Sequence, residues 1–414
     1  MSRSTVDLAY EQLVSEGYLE SVPCKGYFVC EIEGLYRLDE KKEETKEDDA
    51  AEQMPFRYDF AVTGTAPGGF PQNSWKKISK EVLLDADDSL FQLGDAKGEH
   101  GLREAIRDYL HHARGVNCRT EQIIVGAGND YLLMLLSVIL GRGHKVAMEN
   151  PTYISAYRCF AKLGYAMCTI SMDEAGMRPA ELEKSGADLA YIMPSHQFPM
   201  GMVMPMKRRM QLLAWASREN GRYLIEDDYD SEFRYRGKPI PSLQSSDEKG
   251  KVIYIGTFSK AIAPAIRVSY MVLPGDLLDI YRRDCSFYSC TVSRIDQRIL
   301  NEFIRDGYFE RHLNKMRMRY RAKHDLLLAG LEPFKKQFVI SGEDAGLHLL
   351  LTAKGNVTEQ ELLERAAAEK VKAYGMSENM VEATMRKATV LLGFGSIDEA
   401  EMQEGLRRLQ KAWL

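Results

Sequence analysis

A chain of 414 residues with 45% apolar residues and a formal net charge of −5 has the composition of a soluble cytoplasmic protein, and its length suits one large α/β unit with an appendage. No apolar run is long enough to span a bilayer or act as a signal peptide, so no membrane partner is expected; the mild acidity gives no overall footprint for nucleic acid, although a local basic face would be hidden in that average. The 7 cysteines are scattered, with no CxxC pair or metal spacing, so free thiols in a reducing compartment are expected and no metal site.

Taken in chain order, the segment from Ser2 places Val6, Leu8, Ala9, Leu13 and Val14 at helical spacing and closes on Gly17, a short amphipathic helix. Leu19 to Cys30 then alternates around Lys25-Gly26, a small hairpin. One helix and a hairpin cannot bury their own apolar face, so this segment must lean on something else or stay loose. Leu38 to Gln53 is rich in charge with almost nothing to bury, a solvated linker. From about Pro55 the pattern changes: Tyr58 to Val62 leads into a loop, and a helix runs around Trp75 to Leu84.

Gln122 to Val125 is a short buried strand entering Gly126-Ala127-Gly128-Asn129-Asp130 and the apolar helix Tyr131 to Leu140. Small residues there let backbone N–H groups at a helix start approach a phosphate. Val146 to Met148 ends at Glu149-Asn150-Pro151-Thr152-Tyr153, whose aromatic can stack on a planar ring. Strands and helices alternate to about Pro274, as a doubly wound, mostly parallel sheet requires. One long helix is expected from Ile295 through Leu328, its basic run Arg311 to Arg321 forming a solvated face. Phe338 to Leu414 reads as a small α+β domain.

Three residue types in this order meet the needs of pyridoxal 5′-phosphate. Asp227 ends the buried run Tyr223-Leu224-Ile225 and can keep a ring nitrogen protonated. Tyr229, two residues on, projects to the same side and can donate to the ring oxygen. Lys260 follows the strand Lys251 to Ile255 in Gly256-Thr257-Phe258-Ser259-Lys260, where partial desolvation keeps its amine neutral for Schiff-base formation. Ser259 and Arg267 offer a hydroxyl and a forked cation for phosphate. The catalytic set is therefore Lys260, Asp227 and Tyr229, and the cofactor-binding set adds Gly128, Asn129, Asp130, Tyr153, His196, Ser259 and Arg267.

These stretches resemble fold-type I enzymes. More narrowly, Pro194-Ser195-His196-Gln197-Phe198-Pro199-Met200-Gly201, Ile225 to Tyr235 and Tyr254 to Lys260 resemble the MocR subfamily of GntR transcription regulators. The resemblance implies a winged helix-turn-helix fused to an aminotransferase-like domain and a homodimer. The expected layout is a partial winged helix at 1–33, a linker at 34–54 and the cofactor domain at 55–414, its large part at about 85–285 and its small part at about 55–84 plus 286–414. The family's two preceding helices have no counterpart after Met1, which is expected to be a misplaced start; DNA is a partner only if those helices exist upstream.

Three departures qualify the resemblance. Leu93 stands where a phosphate-binding tyrosine is common, and Leu391 where an arginine usually clamps the substrate carboxylate. The asparagine that normally binds the ring oxygen is replaced within Ser195 to Pro199, leaving Tyr229 with His196 or Gln197 as helpers. His196 is equally a satisfied core residue, and Arg386 or Arg267 is the candidate substitute clamp. The favoured reading is a regulator-type module that forms a Schiff base at Lys260 and binds an amine or amino acid as external aldimine. The alternative is an active aminotransferase with no DNA-binding role.

Overall fold

The computed structural model describes residues 2–30, 56–237, 240–383 and 387–414. It divides into two units, Met1–Pro55 and Phe56–Leu414. The linker expected at 34–54 lies outside the described residues.

In the first unit a helix, Arg3–Ser15, starts where the Ser2 hydroxyl accepts the Thr5 N–H at 3.3 Å, satisfying one of the free donors of the first turn. Strands β1 (Leu19–Val22) and β2 (Gly26–Val29) pair antiparallel, Leu19 opposite Val29. Cys24 and Gly26 take the positive φ values, 65° and 105°, that turn the chain between them. Tyr10 meets Tyr27 at 4.9 Å between ring centroids, yet no residue of the helix is buried. The apolar positions are thus lined up on a face without being covered within the unit.

The second unit opens with β3 (Tyr58–Asp59) and builds its main sheet from β4 (Ile123–Gly126), β5 (Lys145–Asn150), β6 (Ala166–Asp173), β7 (Gly176–Met177), β8 (Leu189–Ile192), β9 (Tyr223–Asp228), β10 (Val252–Thr257) and β11 (Ser269–Val272). The order is β4-β11-β10-β9-β8-β5-β6-β7. Pairs from β10 across to β6 are parallel, whereas β11 runs antiparallel to both its neighbours. Helices cover both faces, so strands such as β4 and β9 are buried at every residue and read as continuous apolar runs until their carboxyl ends. Ile225 packs with the helix Asn129–Leu140 on one face, and Leu224 with Leu212 and Trp215 on the other. Two residues beyond Ile225, Asp227 therefore emerges beneath the start of that helix.

A smaller sheet comprises β12 (Phe338–Ser341), β13 (His348–Ala353), β15 (Tyr374–Gly375) and β16 (Thr389–Gly393) in the order β12-β13-β16-β15, while β14 (Val371–Lys372) pairs with β3. Its core gathers Phe60, Leu349, Leu392, Phe394 and Trp413.

Two expectations change here. The single helix from Ile295 to Leu328 is two, Arg294–Arg305 and Tyr308–Gly330, because Gly307 takes a left-handed φ of 72° and breaks the hydrogen-bond ladder. The stretch 72–84 and the start of 286–414, expected in the small part, pack on the large sheet instead: Ile78 and Val82 share a core with Val125, Tyr270, Ile299 and Phe303. Their apolar stripes meet each other over β4 and β11, which sequence adjacency did not reveal.

Candidate functional site

A cavity of about 190 Å³ opens at the carboxyl ends of β9 and β10, where ligands sit in open α/β sheets. Asp227 lies on its floor. The carboxylate accepts hydrogen bonds from the Tyr191 hydroxyl and, at 3.3 Å, from Asn129 Nδ2. Burial pushes its pKa up to about 7, with Tyr191 and Asn129 pulling the other way. A carboxyl so hungry for a proton is the partner that a basic ring nitrogen needs, because the pair can share one proton with neither charge left isolated. Asp228 turns to the opposite face, bound to Arg114 at 2.8 Å and to Tyr254 at 2.5 Å, where it braces the end of the strand.

Lys260 reaches the cavity from the loop after β10. Its Nζ donates to the Val62 carbonyl at 3.0 Å. Burial lowers its pKa, opposed by the charge of Asp230. A carbonyl partner accepts from a neutral amine as well as from an ammonium, so the site tolerates the nucleophilic form.

Tyr229 lines the same cavity, and its hydroxyl sits 2.8 Å from His196 Nδ1. That nitrogen also lies 2.9 and 3.0 Å from the two oxygens of Asp230. A carboxylate accepts, so Nδ1 carries the hydrogen, and the Tyr229 hydroxyl is also hydrogen-bonded to Asp230. The His196 ring is pressed against the backbone of Gly346, where a Cβ would fall 1.8 Å from Cε1.

The third corner is built for an anion. The helix Asn129–Leu140 starts at Gly128, with φ 94° and no side-chain cap, and its first N–H groups face the cavity end lined by Asn129, Asp130 and Arg267. A Cβ at Gly128 would lie 2.2 Å from the Arg267 guanidinium, so only glycine lets this backbone and that cation approach. Arg267 has Asp130 as a loose partner at 3.4 Å and is half exposed. Thr257 and Ser259 add hydroxyls. The buried Asn129 Oδ1 has no partner among the described residues. A proton-seeking acid, a desolvated amine, a phenol and a phosphate cradle around one cavity fit pyridoxal phosphate. Gly128→Ala is expected to lower affinity for this group by about 10-fold or more with the fold retained, since a displaced phosphate cation is worth at least 1.4 kcal/mol; a spectrophotometric titration checks it.

Asn129, Asp130, Tyr153, Asp227, Tyr229, Ser259, Lys260 and Arg267 thus meet around one cavity. Gly128 acts from behind Arg267, and His196 from behind Tyr229. Gln197 does not reach the ring site: it holds a loop, donating to the Pro151 carbonyl at 3.0 Å. Arg386 lies outside the described residues, and Leu391 is buried against Leu350 and Met376. Sequence reasoning missed Tyr191, Asp230, His348 and Phe198. Tyr191 sits inside an apolar strand and reads as core; Asp230 stands in the stretch Ile225 to Tyr235 that carries the family resemblance, which was its signal. Phe198 and His348 meet at 5.4 Å only because a loop after β8 and the start of β13, far apart in sequence, converge.

The model of aminotransferase class I and II matches residues 63–409. Over its whole length the chain is 38% identical to the uncharacterized HTH-type transcriptional regulator YdeL of Bacillus subtilis (strain 168), covering 89% of that protein. It is 29% identical, again over its whole length, to the probable rhizopine catabolism regulatory protein MocR of Rhizobium meliloti, covering 87% of that protein. The chain belongs to the MocR-type branch of the aminotransferase class I and II family. This MocR-type chain superposes on the kynurenine aminotransferase of Pyrococcus horikoshii with a TM-score of 0.75 and 27% identity, over 86% of this chain and 90% of that one. Its fold is fold-type I, and its cofactor is pyridoxal 5′-phosphate.

Proposed function

We propose that this MocR-type chain is an amine-responsive module: it holds pyridoxal phosphate on Lys260 and exchanges that bond for one to a small-molecule amine or amino acid. The observation that carries the reading is the meeting of a buried, pKa-lowered Lys260 with a buried, pKa-raised Asp227 in one cavity. When bound, pyridoxal phosphate supplies an aldehyde that takes up a primary amine and a protonated ring that draws electrons from the amine-bearing carbon. Asp227 holds the proton at the ring nitrogen, and Tyr229 donates to the ring oxygen. Tyr153 covers a ring face; Arg267, Ser259 and the N–H groups at the start of the helix Asn129–Leu140 hold the phosphate. Lys260, once released, is the base nearest the ligand.

A regulatory role draws on the first unit, whose helix and hairpin resemble the recognition helix and wing of a winged helix, and on the named regulators among its relatives. In this reading the protein is a cytoplasmic homodimer, DNA is a partner when a complete winged helix is present, and ligand exchange at Lys260 biases the cofactor domain between two states. The second reading, an aminotransferase that turns over, is favoured by the full set of Lys260, Asp227 and Tyr229. Incubating the cofactor-loaded protein with panels of amines and amino acids, while following its visible band and keto-acid release, separates the two. A spectral change with at most one product per site supports the sensor, and repeated turnover supports the enzyme.

A further inference from the structure

The charged and apolar groups around the proposed site bear on which ligand it takes. Among the described residues, Asp130, Asp227 and Asp230 line the cavity together with Lys260 and Arg267; Asp227 shares its proton with the ring nitrogen and Asp130 pairs with Arg267, which leaves Asp230 as the unshared acid of the cavity. Arg267 is committed to the phosphate end, where it packs against Gly128 and Asp130. Asp230 stands close enough to Lys260 to raise its proton affinity. His348, the remaining basic group on the wall, is held uncharged: burial drives its pKa down to about 3, and its Nε2 contacts the Pro199 carbonyl at 2.8 Å.

Val62, Met193, Phe198 and Leu347 give the cavity an apolar stretch of wall, beside the Thr63 hydroxyl and the uncharged His348. Behind Val62 lie Leu350, Met376 and Leu391, a hydrophobic cluster. A carboxylate brought here sheds its water, meets the field of Asp230 and, among the described residues of the wall, finds no uncommitted cation. An ammonium experiences the reverse, because the acids attract it and the rings of Phe198, Tyr153 and Tyr229 present faces and edges around it. Hydrocarbon on the amine-bearing carbon buries apolar surface against Val62 and Leu347.

We infer that the ligand of this site is a primary amine with an apolar substituent and no carboxylate on the amine-bearing carbon. The inference rests on the cofactor reading above and narrows it. Capture is an exchange: a bond forms from the ligand nitrogen to the aldehyde carbon, the bond to Lys260 breaks, and the lysine amine leaves with the proton that the ligand gives up. No oxidant or further reactant takes part.

The test uses matched pairs that differ by the carboxylate alone, phenethylamine against phenylalanine and isoamylamine against leucine. Each is titrated into the cofactor-loaded full chain at one mildly alkaline pH while the visible band is followed. The amine of each pair is expected to half-saturate the change at a concentration about 10-fold or more below its amino acid, the scale of one uncompensated like charge in a partly buried site. Val62→Arg, which keeps the backbone carbonyl that binds Lys260 and adds a cation to the wall, is expected to narrow that ratio. Retention of the ligand-free band shows that the variant is folded and loaded, and the wild-type titration stands without it. Equal half-saturation, an amino acid ahead of its amine, or a band that neither compound moves overturns the inference while leaving the cofactor reading intact. A wild-type sample with no ligand-free band fails the cofactor reading itself, and this inference with it.

Discussion

Lys260→Ala is expected to give a folded protein that binds pyridoxal phosphate only reversibly, shows no lysine-linked visible band and yields no covalent label after borohydride reduction. The amine has one hydrogen bond, to the Val62 carbonyl, and no ion-pair partner among the described residues. Removing it leaves no buried charge stranded. Its side chain lines a cavity rather than filling the apolar core, so the melting temperature should shift by only a few degrees, on the order of 1 kcal/mol. Turnover, where there is any, should fall by about 1000-fold or more, the usual consequence of losing both the covalent anchor and the base. Label recovered on a different lysine in the wild-type protein would falsify the assignment of Lys260.

Asp227→Asn carries the second large effect. An amide cannot hold a proton at a ring nitrogen, so the electron-withdrawing form of the cofactor is lost, and any turnover should drop by about 100-fold or more. The same substitution has a consequence in the cofactor-free protein whose sign follows from linkage. Burial raises the carboxyl from its ordinary value of 3.8 to about 7. Below about pH 4 both folded and unfolded chains carry the protonated acid, and its contribution is fully present. As pH rises from about 4 towards 7 the unfolded chain ionises while the folded one stays protonated, so stability is lost across that window and the loss is complete once pH has passed about 7. The cofactor-free Asn variant should therefore match the wild type in mild acid and exceed it at pH 8, by up to a few kcal/mol on the scale of 1.4 per pKa unit. Urea melts of both proteins at the two pH values measure this. Adding pyridoxal phosphate should favour the wild type again, because its ring nitrogen gives the ionised Asp227 a partner. A variant less stable than the wild type at pH 8 without cofactor would sink the argument.

The candidate residues that meet at the cavity were legible because the chemistry proposed for them leaves little choice of residue type. An acid at the end of a buried strand, a lysine delivered by another and a glycine-rich strand-to-helix turn are local patterns, and each survives folding because strand direction and helix start are set by nearby sequence. Their mutual distances were not legible. Asp227 and Asn129 lie 98 positions apart, and their hydrogen bond exists because β9 and the helix Asn129–Leu140 share a face of the sheet. The break at Gly307 was missed for the opposite reason: helical spacing continues on both sides of it, and a single left-handed residue does not interrupt the apolar pattern.

His196 shows the division most plainly. Ring-oxygen helper and satisfied core residue were even readings of one side chain, and in the fold the ring is buried against Gly346 and contacts the Tyr229 hydroxyl and Asp230. The chain alone determined the α/β class, the cofactor and the kinship, and it singled out Lys260 and Asp227 as candidates for the attachment lysine and the ring acid, since these depend on residue identity and short-range order. Tertiary structure decided which groups stand behind them and the charge and polarity of the wall a ligand meets. Those properties arise only when segments from Val62 to His348 are brought to one place, and desolvation there, not residue type, sets the proton affinity of each group.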